Sequence, residues 1–202
     1  MKKLMCFGVV VSLSLFLING CAGPSKMLIG KQTVVETSAP KPPSWILIPF
    51  EEKNDTMYFS GAVKGVYDYA VGVRQAKAEA VKNIVESVKT KARTEFVSNT
   101  QGSNLSPEEL GKFVSDGVAM TADNLEVSGI MSKETYYEKV EEITEAGVKY
   151  FYNCYVLLAL PVKDYKIARQ KAIENLAAKA RAENNKKAEE TAKNLLEKLT
   201  AK

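Results

Sequence analysis

Residues 148–160, VKYFYNCYVLLAL, decide the fold because apolar side chains occupy both alternating faces of this run. A strand that is apolar on both faces has other structure packed on both sides of its sheet, so a central strand is predicted here. Residues 134–143 precede the run, and residues 145–147, Glu-Ala-Gly, offer a turn between the two segments. The pattern predicts an antiparallel hairpin whose second arm lies in the middle of a sheet.

A third strand and a long helix precede the hairpin. Residues 56–66, TMYFSGAVKGV, are rich in aromatic and β-branched residues, which favour a strand. Residues 68–98 have apolar residues at three- and four-residue steps, many of them alanine, which predicts an amphipathic helix packed closely on a flat surface. Asp68 is its predicted N-cap. A further helix is predicted over 106–122, with Ser at the N-cap followed by Pro.

The C-terminal segment, residues 162–202, is basic and predicted to be helical. It contains 11 Lys or Arg and 6 Asp or Glu, a net charge of +5. One long helix or two helices are expected, with Asn184 and Asn185 as the place where the helix would fray or bend. Three interpretations stay open: a solvated helix laced with ion pairs, a coiled-coil assembly helix, and a basic surface for anionic envelope polymers.

The N-terminus has the features of an export signal. Residues 1–3 carry two lysines, and residues 4–18 form an apolar run that is too short for a bilayer span but typical of a signal peptide. Residues 17–21, LINGC, resemble the lipobox of bacterial lipoprotein precursors. That resemblance implies cleavage between Gly20 and Cys21 and acylation of Cys21, which would attach the mature chain to a membrane.

Residues 21–43 are predicted to form a lipidated, proline-rich tether. The stretch TSAPKPP at 37–43 favours an extended chain without a ladder of backbone hydrogen bonds. Ala22, rather than Asp, follows the lipidated cysteine. By resemblance to Gram-negative lipoproteins, this residue implies sorting to the outer membrane.

Composition argues against most catalytic chemistry. The chain has no histidine and lacks recognisable nucleophile, phosphate-loop and metal-ligand motifs. The acidic residues of the predicted hairpin, from Glu134 to Glu145, are interpreted as a solvated edge that discourages sheet pairing, with a weak calcium site as the alternative. Cys154 is predicted to be a buried small hydrophobe. Trp45 is predicted to pack the start of the domain against the core, with ligand stacking as the alternative.

Four segments in this order resemble a known family. They are residues 43–46 (PSWI), residues 58–61 (YFSG), the alanine-rich helix at 70–96 and the strand at 148–160. Together with the lipobox they resemble the Lpp-twenty family of small outer-membrane lipoproteins, which has a flagellum-associated branch. The resemblance covers about residues 43–161. It implies an α+β domain, with a three-stranded antiparallel sheet on a long helix, and a non-enzymatic role in the cell envelope.

The sequence therefore predicts an α+β fold: a small antiparallel three-stranded sheet packed on a long amphipathic helix, plus a C-terminal long helix. The predicted parts are a signal peptide (1–20), the lipidated tether (21–43), the α+β domain (44–161) and a basic helical extension (162–202).

The predicted function is that of a lipid-anchored outer-membrane protein, periplasmic or surface-exposed, that forms homo-oligomers or binds an envelope partner. No catalytic residue, metal, cofactor, small-molecule substrate or nucleic acid is expected. The alternative is an accessory factor for flagellar outer-membrane assembly or peptidoglycan synthesis.

Overall fold

A computed structural model describes residues 29–99 and 128–200 of the 202-residue chain. The predicted signal peptide with Gly20 and Cys21, and the helix predicted at 106–122, lie outside the described residues. The elements, in chain order, are β1 (Gln32–Thr37), a 3-10 turn (Ser44–Leu47), β2 (Phe50–Lys53), β3 (Thr56–Val66), α1 (Tyr69–Asn99), β4 (Met131–Thr144), β5 (Gly147–Pro161), α2 (Val162–Ala182) and α3 (Lys186–Thr200).

The sheet is antiparallel and has the strand order β1-β4-β5-β3-β2. β5 lies at its centre, as its two apolar faces predict. Cys154, Val156, Leu158 and Leu160 on one face of β5 join the core beneath the helices, and each is at most 1% exposed. On the opposite face the C-terminal half of β5 is also buried. The hairpin prediction is confirmed, with β4 and β5 paired up to Thr144 and Gly147.

The prediction of three strands is wrong, because the sheet has five. The two additional strands, β1 and β2, are the edges of the sheet, and every one of their residues is exposed. An edge strand without a buried face has no alternation of apolar and polar residues, which is the signal that identifies a strand in sequence. β1 also falls within the segment 21–43, so the tether prediction is wrong for Gln32–Thr37.

Helix α1 covers the inner face of β3 and β5. Asp68 caps it as predicted, since its Oδ1 accepts a hydrogen bond of 2.8 Å from the backbone N–H of Val71. The alanine stripe of the helix is fully buried, and Gly61 of β3 lies directly beneath Ala76 and Ala80. Small residues on both elements let the helix backbone approach the sheet closely.

The C-terminal segment forms two helices rather than one long helix. Asn184 adopts a left-handed conformation (φ 54°) just after α2, a position that asparagine tolerates better than most residues. The Oδ1 atom of Asn185 then accepts a hydrogen bond of 3.1 Å from the backbone N–H of Ala188 and caps α3. The two asparagines thus end one helix and begin the next.

Both C-terminal helices belong to the core. Ile173 and Leu176 of α2 and Leu195 of α3 are buried in the same cluster as Phe59 and Phe96. The segment 162–200 is therefore packed on α1, and the interpretation of a purely solvated helix does not hold. Ion pairs still form on the surface of this segment, for example between Glu189 and Lys193 at 2.9 Å.

Tyr136 provides a stability test of the sheet's outer face. Its side chain is 1% exposed, and its hydroxyl lacks a hydrogen-bond partner among the described residues. Replacing a buried, unpaired hydroxyl by hydrogen removes its desolvation cost, so Tyr136→Phe is expected to raise the free energy of unfolding by about 1 kcal/mol. Urea denaturation of the two proteins measures the difference.

Tyr137→Phe is the matched control. The Tyr137 hydroxyl donates a hydrogen bond of 2.7 Å to Oε1 of Glu36, so its removal should bring no gain in stability. A loss of stability in Tyr136→Phe, as large as that expected for a lost hydrogen bond, would contradict this account of Tyr136.

Candidate functional site

The predicted lipidation site, Cys21, and the cleavage position at Gly20 lie outside the described residues. Their distance from the domain is nevertheless bounded by covalent geometry. Strand β1 begins at Gln32, eleven residues after Cys21. Eleven extended residues span at most about 40 Å. The start of β1 therefore lies within that distance of the predicted anchor.

Four acidic residues of the hairpin each accept a hydrogen bond from a different side chain. Glu134 accepts a 2.7 Å hydrogen bond from Trp45 Nε1, and Glu138 accepts one of 3.1 Å from Asn153. Glu141 and Glu142 bond to Tyr150 and Gln32, respectively. Within residues 29–99 and 128–200, no group of three potential metal ligands is present. The interpretation as a free edge is wrong for Glu138, Glu141 and Glu142, because β1 pairs with β4 along this stretch. Glu134 and Glu145 lie outside the stretch that β1 pairs with.

Trp45 lies on the outer face of the sheet and not in the core beneath the helices. It lines a shallow cavity of about 260 Å³ together with Tyr58 and Leu157. The charged residues at this cavity are Glu51, Lys53, Lys133 and Glu134. The Trp45–Glu134 hydrogen bond joins the 3-10 turn to β4 across the sheet, which is a structural role.

Cys154 is buried, as predicted. Its Sγ atom lies 4.0 Å from the backbone carbonyl oxygen of Tyr69 and packs against the backbone at Gly72. Burial raises the pKa of the thiol. Since the thiolate is the reactive form, this environment disfavours nucleophilic chemistry at Cys154.

Tyrosine rings form a cluster where α1 begins. The rings of Tyr69, Tyr137 and Tyr152 lie within 5.9 Å of one another, measured between centroids. The hydrogen bond from Tyr137 to Glu36 of β1 raises the pKa of the Tyr137 hydroxyl. The cluster joins β1, β4, β5 and α1, and so fixes the first residues of the domain to its core.

The two edges of the sheet differ in their chemistry. β2 has four residues, of which three are charged, and a short charged edge resists further strand pairing. β1 has six residues and pairs with β4 on one side only. Its Val34 and Val35 are 48% and 47% exposed, and Ile29 just before it is 64% exposed. β1 therefore presents a backbone edge flanked by apolar side chains.

The sequence pattern does not predict this edge. A signal for it was present in Gln32–Thr37, QTVVET, in which four of the six residues are β-branched. The nearby proline-rich stretch favoured a tether instead.

Comparison with protein-family models, with curated proteins and with solved structures finds no match to this chain. The resemblance to the Lpp-twenty family thus stays a prediction. In the part of the chain that the structure describes, no helix combines the length and apolar character needed to cross a bilayer.

Proposed function

We propose that this chain is a lipid-anchored lipoprotein of the bacterial outer membrane with a structural or protein-interaction role and without catalysis. The predicted acylation of Cys21 supports the anchor. The free edge of β1 supports the interaction. The accessory role in flagellar assembly or peptidoglycan synthesis stays a hypothesis, because no contact among the described residues favours it.

The single observation that carries the interaction role is the exposed position of β1. An edge strand offers unpaired backbone N–H and C=O groups to an extended segment of another chain, and the main-chain hydrogen bonds provide affinity. Val34 and Val35 would supply apolar contacts beside those hydrogen bonds. The partner is an extended segment of an envelope protein or β1 of a second copy.

Strand β1 also contains a bulge, which limits how the edge can pair. The register with β4 shifts between Val34 and Glu36, so Val35 has no residue opposite it. A bulge interrupts the regular ladder and hinders continuous association of edges. This feature favours a specific partner over open-ended aggregation.

Site-specific crosslinking in cells tests this role. With a photo-crosslinking amino acid at Val35, we expect irradiation to yield a discrete crosslinked species, because the partner would lie against this side chain. The matched control places the same amino acid at Tyr67, which is 72% exposed but lies in the turn between β3 and α1.

The mass of the crosslinked species distinguishes a second copy from another envelope protein. Equal crosslinking from Val35 and Tyr67, or none from Val35 in the correctly localised protein, would contradict an interaction through β1.

A further inference from the structure

A cleft lies among the three helices, which pack on one another around it. It has a volume of about 1160 Å³ and lies between the last turns of α1, the first turns of α2 and the end of α3. Binding pockets for small molecules commonly measure about 300–1,000 Å³. The cleft can thus hold a ligand larger than a simple ion.

The described residues that line the cleft carry an excess of positive charge. The five cationic residues are Lys91, Lys163, Lys166, Arg169 and Lys198. Against them stand the carboxylates of Asp55 and Glu95, which leaves a net charge of +3. A concave surface of one sign concentrates ligands of the opposite sign.

Some of these cationic side chains already form ion pairs or hydrogen bonds within the protein. The carboxylate of Glu95 forms an ion pair with Nη1 of Arg169 at 3.3 Å and a longer one with Nζ of Lys91 at 3.9 Å. The Nε atom of Arg169 is buried and has no hydrogen-bond partner among the described residues. Lys198 donates a 2.6 Å hydrogen bond to Asn99. These contacts hold the wall of the cleft in place.

Two lysines are left for a ligand. Lys163 and Lys166 lie in the first turns of α2, and both are exposed at the cleft. Neither forms an ion pair with any described carboxylate. Their ammonium groups are therefore available to the oxygens of an anion.

The cleft also has an apolar wall. Leu195, which is 4% exposed, and Leu199 come from α3, and Ile167, which is 41% exposed, faces them from α2. A small inorganic anion would occupy the basic side and leave this wall in water. A ligand with both an anionic group and an apolar portion satisfies both sides.

We propose that this cleft binds an anionic phospholipid. Its phosphate would lie at Lys163 and Lys166, and the upper part of an acyl chain would lie along Ile167 and Leu199, above the buried Leu195. The described residues that line the site all belong to the folded domain, and binding there would not depend on acylation of Cys21.

Calorimetric titration of the mature lipidated chain, held in phosphatidylcholine nanodiscs, tests the site. The probe is dihexanoyl phosphatidylglycerol, which is water-soluble, and nanodiscs without protein provide the blank. We expect one saturable site per chain. Dihexanoyl phosphatidylcholine, with the same acyl chains and no net charge, and inorganic phosphate, with no acyl chain, should each bind at least about tenfold more weakly.

A double variant and a matched control locate the binding. Lys163→Gln with Lys166→Gln should weaken phosphatidylglycerol binding about tenfold, through loss of two charge-assisted contacts. Lys186→Gln with Lys187→Gln removes the same charge from the exposed start of α3 and should leave binding unchanged. All four lysines are exposed, so the thermal unfolding midpoint of each variant should equal that of the parent.

Several results would overturn the proposal. Equal affinity for phosphatidylcholine would show a non-selective apolar groove, and equal affinity for inorganic phosphate would show an anion site without lipid specificity. An equal loss in both double variants would show non-specific attraction to the basic helices. Absence of saturable binding would dismiss the site.

Discussion

Gly61→Ala is expected to lower the free energy of unfolding by about 3 kcal/mol, because the added methyl group has no space at the helix–sheet contact. A Cβ atom at this position would overlap the backbone of α1 at Ala76 and Ala80 and would approach the Ala80 Cβ atom to 2.8 Å. Backbone atoms of a packed helix cannot move aside as a flexible side chain can. The helix would have to shift away from β3 along its whole buried stripe. Urea unfolding followed by circular dichroism measures the loss.

Ala62→Val is the control for added bulk in the same strand. Ala62 is exposed and lies next to Gly61, so its side chain points to the opposite face of the sheet. Its stability should change by no more than about 0.5 kcal/mol. If Gly61→Ala unfolds at the urea concentration of the parent protein, the close packing of α1 on β3 described above is wrong.

The elements predicted from sequence were those with strong burial signals. The strand at 56–66, the helix at 68–98 and the hairpin around 145–147 agree with β3, α1 and the β4–β5 turn to within about one residue. Each has a face that must be buried, and a buried face imposes a period of two or about 3.6 residues on the sequence. For these segments the pattern of apolar residues alone was enough to predict the type and position of the element.

The edge strands could not be predicted for the opposite reason. β1 and β2 are exposed along their whole lengths, so their position depends on pairing with β4 and β3 and not on burial. The acidic residues of the hairpin were interpreted as a solvated edge for the same reason: the sequence gives no burial signal for β1, the strand that pairs with β4. Between Glu138 and Glu142, β4 is not an edge, because β1 pairs with it there.

The cleft between the helices was beyond sequence analysis because its residues are distant in the chain. Glu95, Lys163 and Leu195 come from three helices and meet only through the packing of α2 and α3 on α1. The basic composition of 162–202 was visible, and a basic surface for an anionic partner was one of the interpretations left open. The apolar wall that favours a lipid over a polymer required the structure.

Cys21→Ala is expected to abolish lipid attachment of the chain, the second large effect. Each CH₂ group buried in a bilayer contributes about 0.8 kcal/mol, and stable attachment needs more than one acyl chain. Cys21 is the residue predicted to carry those chains, so the variant loses the whole contribution. Within the described residues no helix could substitute by spanning the bilayer.

Membrane fractionation alone would not distinguish the outcomes, since an uncleaved signal peptide can keep a precursor associated with a membrane even though its apolar run at 4–18 is short. The readouts are therefore incorporation of labelled palmitate and the appearance of the processed form. Cys154→Ala is the matched control, because it removes the buried cysteine of β5 and leaves the predicted anchor intact.

The most direct test of the account is this labelling experiment in the native bacterium, with parent, Cys21→Ala and Cys154→Ala compared side by side. We expect labelled, processed protein in the outer-membrane fraction for the parent and Cys154→Ala, and neither label nor processing for Cys21→Ala. A Cys21→Ala protein that is labelled, processed and found in the outer membrane like the parent would contradict it.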